Sequence, residues 1–351
     1  MIIRNPEEDY FHNIGNSGGY EWSYFDGLSN DGLWGFTAIW FKGCPMSPHY
    51  TKEIDYSFLN GSHINPEDFS AFSFSLYYKG VRKFWCLNEA NSSHSTFTND
   101  SPNVSFNENI LTCKVIKLGK EFEIEIHSSS ATGTKRVAGR ISLSFPDLDL
   151  KTIANTSNNL DDNHNWVPAN LVGSFNLNLH LYTSFGLKFN DETIDFSGRS
   201  YHDRNYGLTP LHKLDVDWFW GRYIGDEYSL VYFKILSKEK KEIEFSQLLL
   251  FKNHELLYQS KNFDFIMSHS KKSWTLKYPS RILISNDDIK VEVNESYKPE
   301  SGPFYHRFVS DFKIYFKNNL VSGKGITEFL KPKRLGIKSF RPFIKFRVRR
   351  T

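Results

Sequence analysis

Two-residue alternation is the pattern that most limits what this chain can become. Phe175, Leu177, Leu179 and Leu181 alternate with Asn176, Asn178, His180 and Tyr182, and Phe122, Ile124 and Ile126 alternate with Glu121, Glu123 and Glu125. Successive side chains of a strand point to opposite faces, so such runs bury one face and leave the other wet or bound to something polar. A helix would scatter the same apolar residues around its circumference.

Turn signals separate these runs. Residues 21–27 and 36–42 flank Asn30-Asp31-Gly32, residues 71–78 and 82–87 meet at Lys79-Gly80, and residues 115–118 and 121–127 meet at Gly119-Lys120. The stretch 43–48 breaks the first hairpin, residues 1–20 read as a loosely held arm, 152–162 as a loop, and 164–168 as an interruption before another strand. Further strands are predicted at 229–236, 242–251, 272–277, 282–284, 289–293 and 304–316, and no long helix is predicted. Aromatic residues make up 16% of the chain, which favours β structure. The pattern predicts an all-β protein of antiparallel barrels or sandwiches. An internal echo divides it: Glu21-Trp22-Ser23-Tyr24 and its hairpin resemble Asp217-Trp218-Phe219-Trp220 and its hairpin. Two related β domains, 1–196 and 197–351, are therefore expected.

Composition removes several function classes. Cys44, Cys86 and Cys113 are isolated and odd in number, which reads as free thiols in a reducing, cytoplasmic setting. The first thirty residues carry no secretory pattern, and no apolar run is long enough to span a bilayer as a helix. His164, His180, His202 and His212 lack zinc-site spacing, and no P-loop, dinucleotide or G-x-S-x-G sequence is present. Neither a metal nor a cofactor is expected. The chain carries a net +3, yet nine basic and no acidic residues fall between 331 and 351, leaving −6 for the rest. That tail, with Leu335, Ile337, Phe340, Phe343, Ile344, Phe346 and Val348 among its cations, suits the inner face of an anionic membrane or the solvated face of a terminal strand. The acidic remainder has no nucleic-acid-binding motif, so nucleic acid is not an expected partner.

The densest chemistry lies in Ser197 to Gly207 and Trp218 to Arg222. On an extended backbone Tyr201 and Asp203 share one face, with His202 and Arg204 on the other; His164 and Trp166 share a face in the same way. Two such pairs at one barrel mouth would gather an acid, a phenol, an imidazole and an indole. Aromatic walls would desolvate Asp203 and raise its pKa, giving an acid able to protonate an alkene. The π faces of Trp166 and Tyr201 would then stabilise the cation, and His164 would orient water or take its proton. A plain hydrogen-bond knot, with Asp203 paired to Arg199 or Arg204 and Trp166 in the core, is the structural alternative.

In order along the chain, Glu21-Trp22-Ser23-Tyr24-Phe25-Asp26, Gly43-Cys44-Pro45-Met46-Ser47-Pro48, His164-Asn165-Trp166-Val167-Pro168, Gly198-x-x-Tyr201-x-Asp203-x-Asn205, Trp218-Phe219-Trp220, Gly302-Pro303-Phe304-Tyr305-x-Arg307 and Phe346-Arg347-Val348-Arg349-Arg350 resemble the carotenoid 1,2-hydratase (hydroxyneurosporene synthase) family. The resemblance implies two lipocalin-like antiparallel β-barrel domains and cofactor-free protonation and hydration of a terminal isoprenoid double bond. It also implies that His164, Trp166, Tyr201 and Asp203 are the functional residues. Trp218, Trp220, Tyr206, Asn205, Trp22 and Tyr24 are the expected walls of a site for a hydrophobic isoprenoid or polyene. The same superfamily resemblance leaves open a pericyclase or cyclase that closes a ring in such a substrate, and a non-catalytic carrier of an apolar ligand.

Overall fold

The strand Tyr20–Ser29 lies where the two halves of the molecule meet. In the computed structural model, which describes residues 1–153, 164–185, 188–237 and 243–350, most of the backbone falls into two curled, mainly antiparallel sheets. In the first, Tyr20–Ser29, Trp34–Lys42, Ser70–Tyr78 and Val81–Ala90 run as a meander, and Lys188–Gly207 returns to pair with Tyr20–Ser29. In the second, Val216–Ile224, Tyr228–Ser237 and Ile243–Lys252 run likewise, and Asn319–Leu330 returns to pair with Val216–Ile224. In both sheets the last long strand closes on the first, the arrangement of two lipocalin-like half-barrels. The internal echo in the sequence marks the two equivalent opening strands.

Alternation sorts side chains between three cores. Phe25 and the apolar residues in phase with it fill the first sheet's concave side with Phe36, Trp40 and Phe122, while Phe219, Tyr232 and Phe312 fill the second. The opposite phase of the same strands, Tyr24, Tyr201, Trp218 and Trp220, packs between the sheets. The chemical stretch therefore faces the seam between half-barrels and not a barrel mouth.

Several expectations need correcting. A division at residue 196 falls inside Lys188–Gly207, whose hydrogen bonds to Tyr20–Ser29 complete the first sheet; the chain changes sheets only between 208 and 215. The break at 43–48 is present, since Trp34–Lys42 ends before it, but it leads into a helix that was not expected, Pro48–Asn60. Ser47 caps it by accepting from the backbone N–H groups of His49 and Tyr50, and Gly61 ends it in the left-handed conformation at φ 66°. The hairpin expected to turn at Gly119-Lys120 turns at 117–118 instead, because Asn109–Ile116 and Gly119–Ser129 are its strands. Lys79 and Gly80, with φ of 50° and 73°, do form the expected turn. Pro168 interrupts nothing: Asn165–Phe185 is one strand with register irregularities between 167 and 173, where a residue without an N–H is tolerated. The expected loop at 152–162 lies mostly outside the described residues.

The N-terminal arm is not loose. Ile2–Ile3 pairs in parallel with Asn165 and Trp166, and Phe11 and Ile14 are buried. Asp9 is buried as well, 3.0 Å from His202 Nε2, 3.3 Å from Arg204 and 3.0 Å from Lys120. The basic tail is ordered too, with a short helix Arg341–Lys345 and the strand Val348–Arg350 laid parallel on Val81–Ala90. Cys44, Cys86 and Cys113 are free thiols. No helix among the described residues is long and apolar enough to cross a membrane.

Candidate active site

Antiparallel register builds the site. Asp203 lies opposite Tyr24, Tyr201 opposite Asp26, and Asn205 opposite Trp22, while Trp166 pairs with Asn205 on the other side. All of these reach the seam because each is an even number of residues from its neighbours on its own strand.

Asp203 receives three hydrogen bonds. Its Oδ2 accepts from the Tyr201 hydroxyl at 2.7 Å and from the Trp166 indole N–H at 2.8 Å, and its Oδ1 accepts from Asn205 Nδ2 at 3.1 Å. Burial nevertheless dominates. It pushes the carboxyl up to about 7, against the lowering by Tyr201 and Trp166, because losing water penalises the carboxylate more than the neutral acid. The Tyr201 phenol is pushed up by burial and by Asp203, so it remains a donor.

Behind this carboxyl runs a polar line. His164 Nε2 is 3.0 Å from Asn205 Oδ1, and His164 Nδ1 is 2.9 Å from the Tyr20 hydroxyl. Burial lowers the imidazole to about 3, so it is neutral and carries one ring proton. An amide oxygen only accepts, which puts that proton on Nε2 and makes Nδ1 the acceptor from Tyr20. Tyr20, His164 and Asn205 thus fix which way the Asn205 amide faces Asp203.

In front of Asp203 is a cavity of about 160 Å³, walled by Trp22, Tyr24, Trp218, Trp220 and Phe233 from the two sheets. The Trp22 and Trp218 rings are 6.3 Å apart, and Trp220 lies 4.9 Å from Tyr201 and 5.7 Å from Tyr24. On the second sheet's side the wall also carries Glu300, Tyr305, Arg307 and Glu328. Its outer rim is formed by Trp85, Trp274, Phe343 and Arg347; Trp274 and Phe343 are well exposed.

The expected residues separate into groups. Asp203, Asn205, Trp22, Tyr24, Trp218 and Trp220 line the cavity. Tyr201, Trp166 and His164 are buried behind them and act on Asp203 directly or through Asn205. Tyr206 is elsewhere: its ring stacks on His12 at 3.9 Å, on the face turned away from the cavity, as its odd spacing from Asp203 requires. Glu328 and Glu300 were not singled out from the sequence, although Tyr305 and Arg307 stood in a motif.

The sequence profile of the carotenoid hydratase CrtC family matches residues 38–351. The chain belongs to the carotenoid hydratase family. Among relatives, a hydroxyneurosporene dehydrogenase of Chlorobaculum tepidum is 25% identical over 357 residues, covering 99% of this chain and 91% of that one. An acyclic carotenoid 1,2-hydratase of Rubrivivax gelatinosus is 23% identical over 205 residues, 58% of this chain and 45% of that one. In fold, a candidate AttH protein of Nitrosomonas europaea superposes with a TM-score of 0.58 at 13% identity, over 93% of this chain and 96% of that one. Membership of the hydratase family makes this a hydro-lyase type of enzyme.

Proposed function

We propose that this chain adds water across a terminal isoprenoid double bond of a carotenoid or related polyene, without a cofactor, by proton donation from Asp203. The observation that carries this reading is a buried carboxyl, protonated up to about neutral pH, opening onto a cavity with aromatic walls. Relatives named for carotenoid hydration support the substrate class.

The chemistry follows from the contacts. The Asp203 O–H bond breaks, its proton forms a C–H bond at the less substituted alkene carbon, and a tertiary cation remains. The carboxylate left behind is held by Tyr201, Trp166 and Asn205, three donors already in place before the charge develops. Trp22, Trp218 and Trp220 present π faces to the cation. Trp166 directs its N–H at Asp203, so it orients the acid and does not face the cation. A water oxygen then bonds to the cation and gives up a proton.

Size sets how the substrate enters. A cavity of about 160 Å³ is close to the roughly 150 Å³ that admits a benzene ring in an engineered core. One end of a polyene fits, and the remainder lies along the rim past Trp274 and Phe343. Incubating the protein with lycopene or neurosporene in detergent tests the reading by product mass: an alcohol heavier by one water supports it, and a ring-closed isomer of unchanged mass contradicts it.

The tail's place at the rim supports membrane docking. Lys331, Lys333, Arg341 and Arg350 are paired with Asp217, Asp215, Asp55 and Glu89. Lys338, Lys345 and Arg349 are exposed, beside Phe343 and Phe346, which are 58% and 82% exposed. Cations and aromatics mixed on one rim suit an anionic lipid surface from which a polyene is drawn.

A further inference from the structure

A second cluster of buried charge shares the cavity wall with Asp203, and protonation of the alkene leaves it without a task. Glu328 sits in register between Trp220 and Arg307. Its Oε1 accepts from Arg307 Nε at 2.9 Å, is ion-paired with Nη2 at 2.8 Å, and lies 2.9 Å from the Tyr24 hydroxyl. The same hydroxyl is 2.9 Å from Asp26 Oδ2. Asp26 Oδ1 in turn accepts from Arg222 Nε at 2.9 Å. Arg307 also donates to Glu300 at 2.8 Å and to Thr37.

One phenol has one hydrogen and cannot donate to two carboxylates at once. The Tyr24 contacts are both satisfied only when one of the two acids carries a proton of its own. Charge points the same way: among the described residues, Asp26, Glu300 and Glu328 are ion-paired with Arg222 and Arg307 alone, two cations for three acids, with Tyr24 and Tyr305 neutral between them. With all three acids ionised the cluster is one positive charge short, so it has room to take up one proton. Burial raises the Glu328 carboxyl, against the opposing effect of Arg307. At the far end of the cluster, Arg222 lines a second cavity of about 230 Å³ whose other walls include Ser29, Asn30, Arg199, Asp226 and Lys324. The cluster therefore bridges the apolar reaction cavity and a polar one.

Hydration releases a proton after carbon has been protonated, and a base must receive it. His164 is poorly placed, with both ring nitrogens engaged behind Asn205. Resting on the hydration reading, we propose that Glu328 is the base that takes the proton of the added water, with Tyr24 and Asp26 sharing that proton behind it. The water oxygen forms the C–O bond with a lone pair, one O–H bond breaks, and its proton goes to the Glu328 carboxylate. No electron changes hands. The cycle closes when an equivalent proton returns to Asp203.

Glu328→Gln, Tyr24→Phe and Asp203→Asn, each compared with wild type on neurosporene in deuterated water, separate the steps. Two quantities are read by mass spectrometry: deuterium in recovered substrate, which reports cation formation and reversal, and yield of alcohol. Glu328→Gln is expected to keep the exchange while alcohol falls roughly a hundredfold; Tyr24→Phe moves the same way by less. Asp203→Asn loses both. Alcohol at the wild-type rate in Glu328→Gln, or exchange and alcohol lost in equal proportion, overturns the proposal. If Glu328→Gln melts below the assay temperature, Tyr24→Phe, which removes only an oxygen, decides by the same ratio. Absence of deuterium on carbon in the wild-type product is a different result, since it removes the hydration reading itself.

Discussion

The indole N–H of Trp166 points at Asp203 Oδ2 from 2.8 Å away, so the largest ring behind the acid serves it as a hydrogen-bond donor. A donor to the charged form lowers a carboxyl pKa, whereas burial raises it. Both act on Asp203, and burial prevails.

Trp166→Phe removes that donor and keeps an aromatic ring. Activity requires protonated Asp203, so it should fall as pH rises through about 7 in wild type. Without the indole N–H the carboxylate is less favoured, and the falling limb should move to higher pH by about one to two units. A rate profile against pH for both proteins checks this. An unmoved limb would mean that another group titrates.

Asp203→Asn should stabilise the fold at alkaline pH. The Asp203 pKa is raised on folding from 3.8 to about 7, so the folded protein binds the proton more tightly than the unfolded chain. Stability from this group is complete below about pH 4 and is lost as pH rises through about 7. Removing the charge should therefore raise the melting temperature relative to wild type at pH 8, by the equivalent of a few kcal/mol. The difference should shrink towards pH 4. Melting curves at the two pH values measure it.

Asp9→Asn should do the opposite. Burial alone would raise the Asp9 carboxyl, but His202, Lys120 and Arg204 hold it far below the usual range. Its contribution is present above about pH 4 and is lost as pH falls below that value. The variant leaves buried His202 without its acid and Arg204 with only Glu21, at 3.6 Å, at a cost of roughly 3–5 kcal/mol. Denaturant titration at pH 7 should show that loss, and a change under 1 kcal/mol would contradict it.

Lys345→Glu combined with Phe346→Ser should weaken binding to vesicles containing anionic lipid, and the wild-type binding itself should fall as salt rises. Both side chains are exposed, so the melting temperature should not move. Truncation after Leu330 is a poorer test, since it also removes Phe343, Ile344 and Arg347 from the cavity rim. Sedimentation with vesicles distinguishes the outcomes: equal binding by variant and wild type removes the docking role.

What the sequence made legible was periodic. Tyr201 and Asp203 share a face because they are two residues apart, whereas Trp22 and Tyr24, expected only as walls of the site, are set beside them by the strand register. Tyr206 violated the two-residue spacing, being three residues from Asp203. The Pro48–Asn60 helix was hidden by its own capping sequence, where Pro45, Ser47 and Pro48 read as a break although Ser47 is the N-cap. Asp9 and Glu328 were out of reach for another reason: their partners are 111 and 21 residues or more away along the chain, and neither sits in a local pattern that marks it. The echo between residues 21–24 and 217–220 was read only as a division into two domains; that Trp22 and Trp218 meet across the seam came from the packing.

Carbon-bound deuterium in the product formed in deuterated water, compared between wild type and Asp203→Asn, tests the central claim most directly. Proton donation from Asp203 predicts one deuterium on carbon in an alcohol made by wild type, and no such alcohol from a folded Asp203→Asn. An alcohol formed at similar rate by both proteins, or one carrying no carbon-bound deuterium, would contradict it.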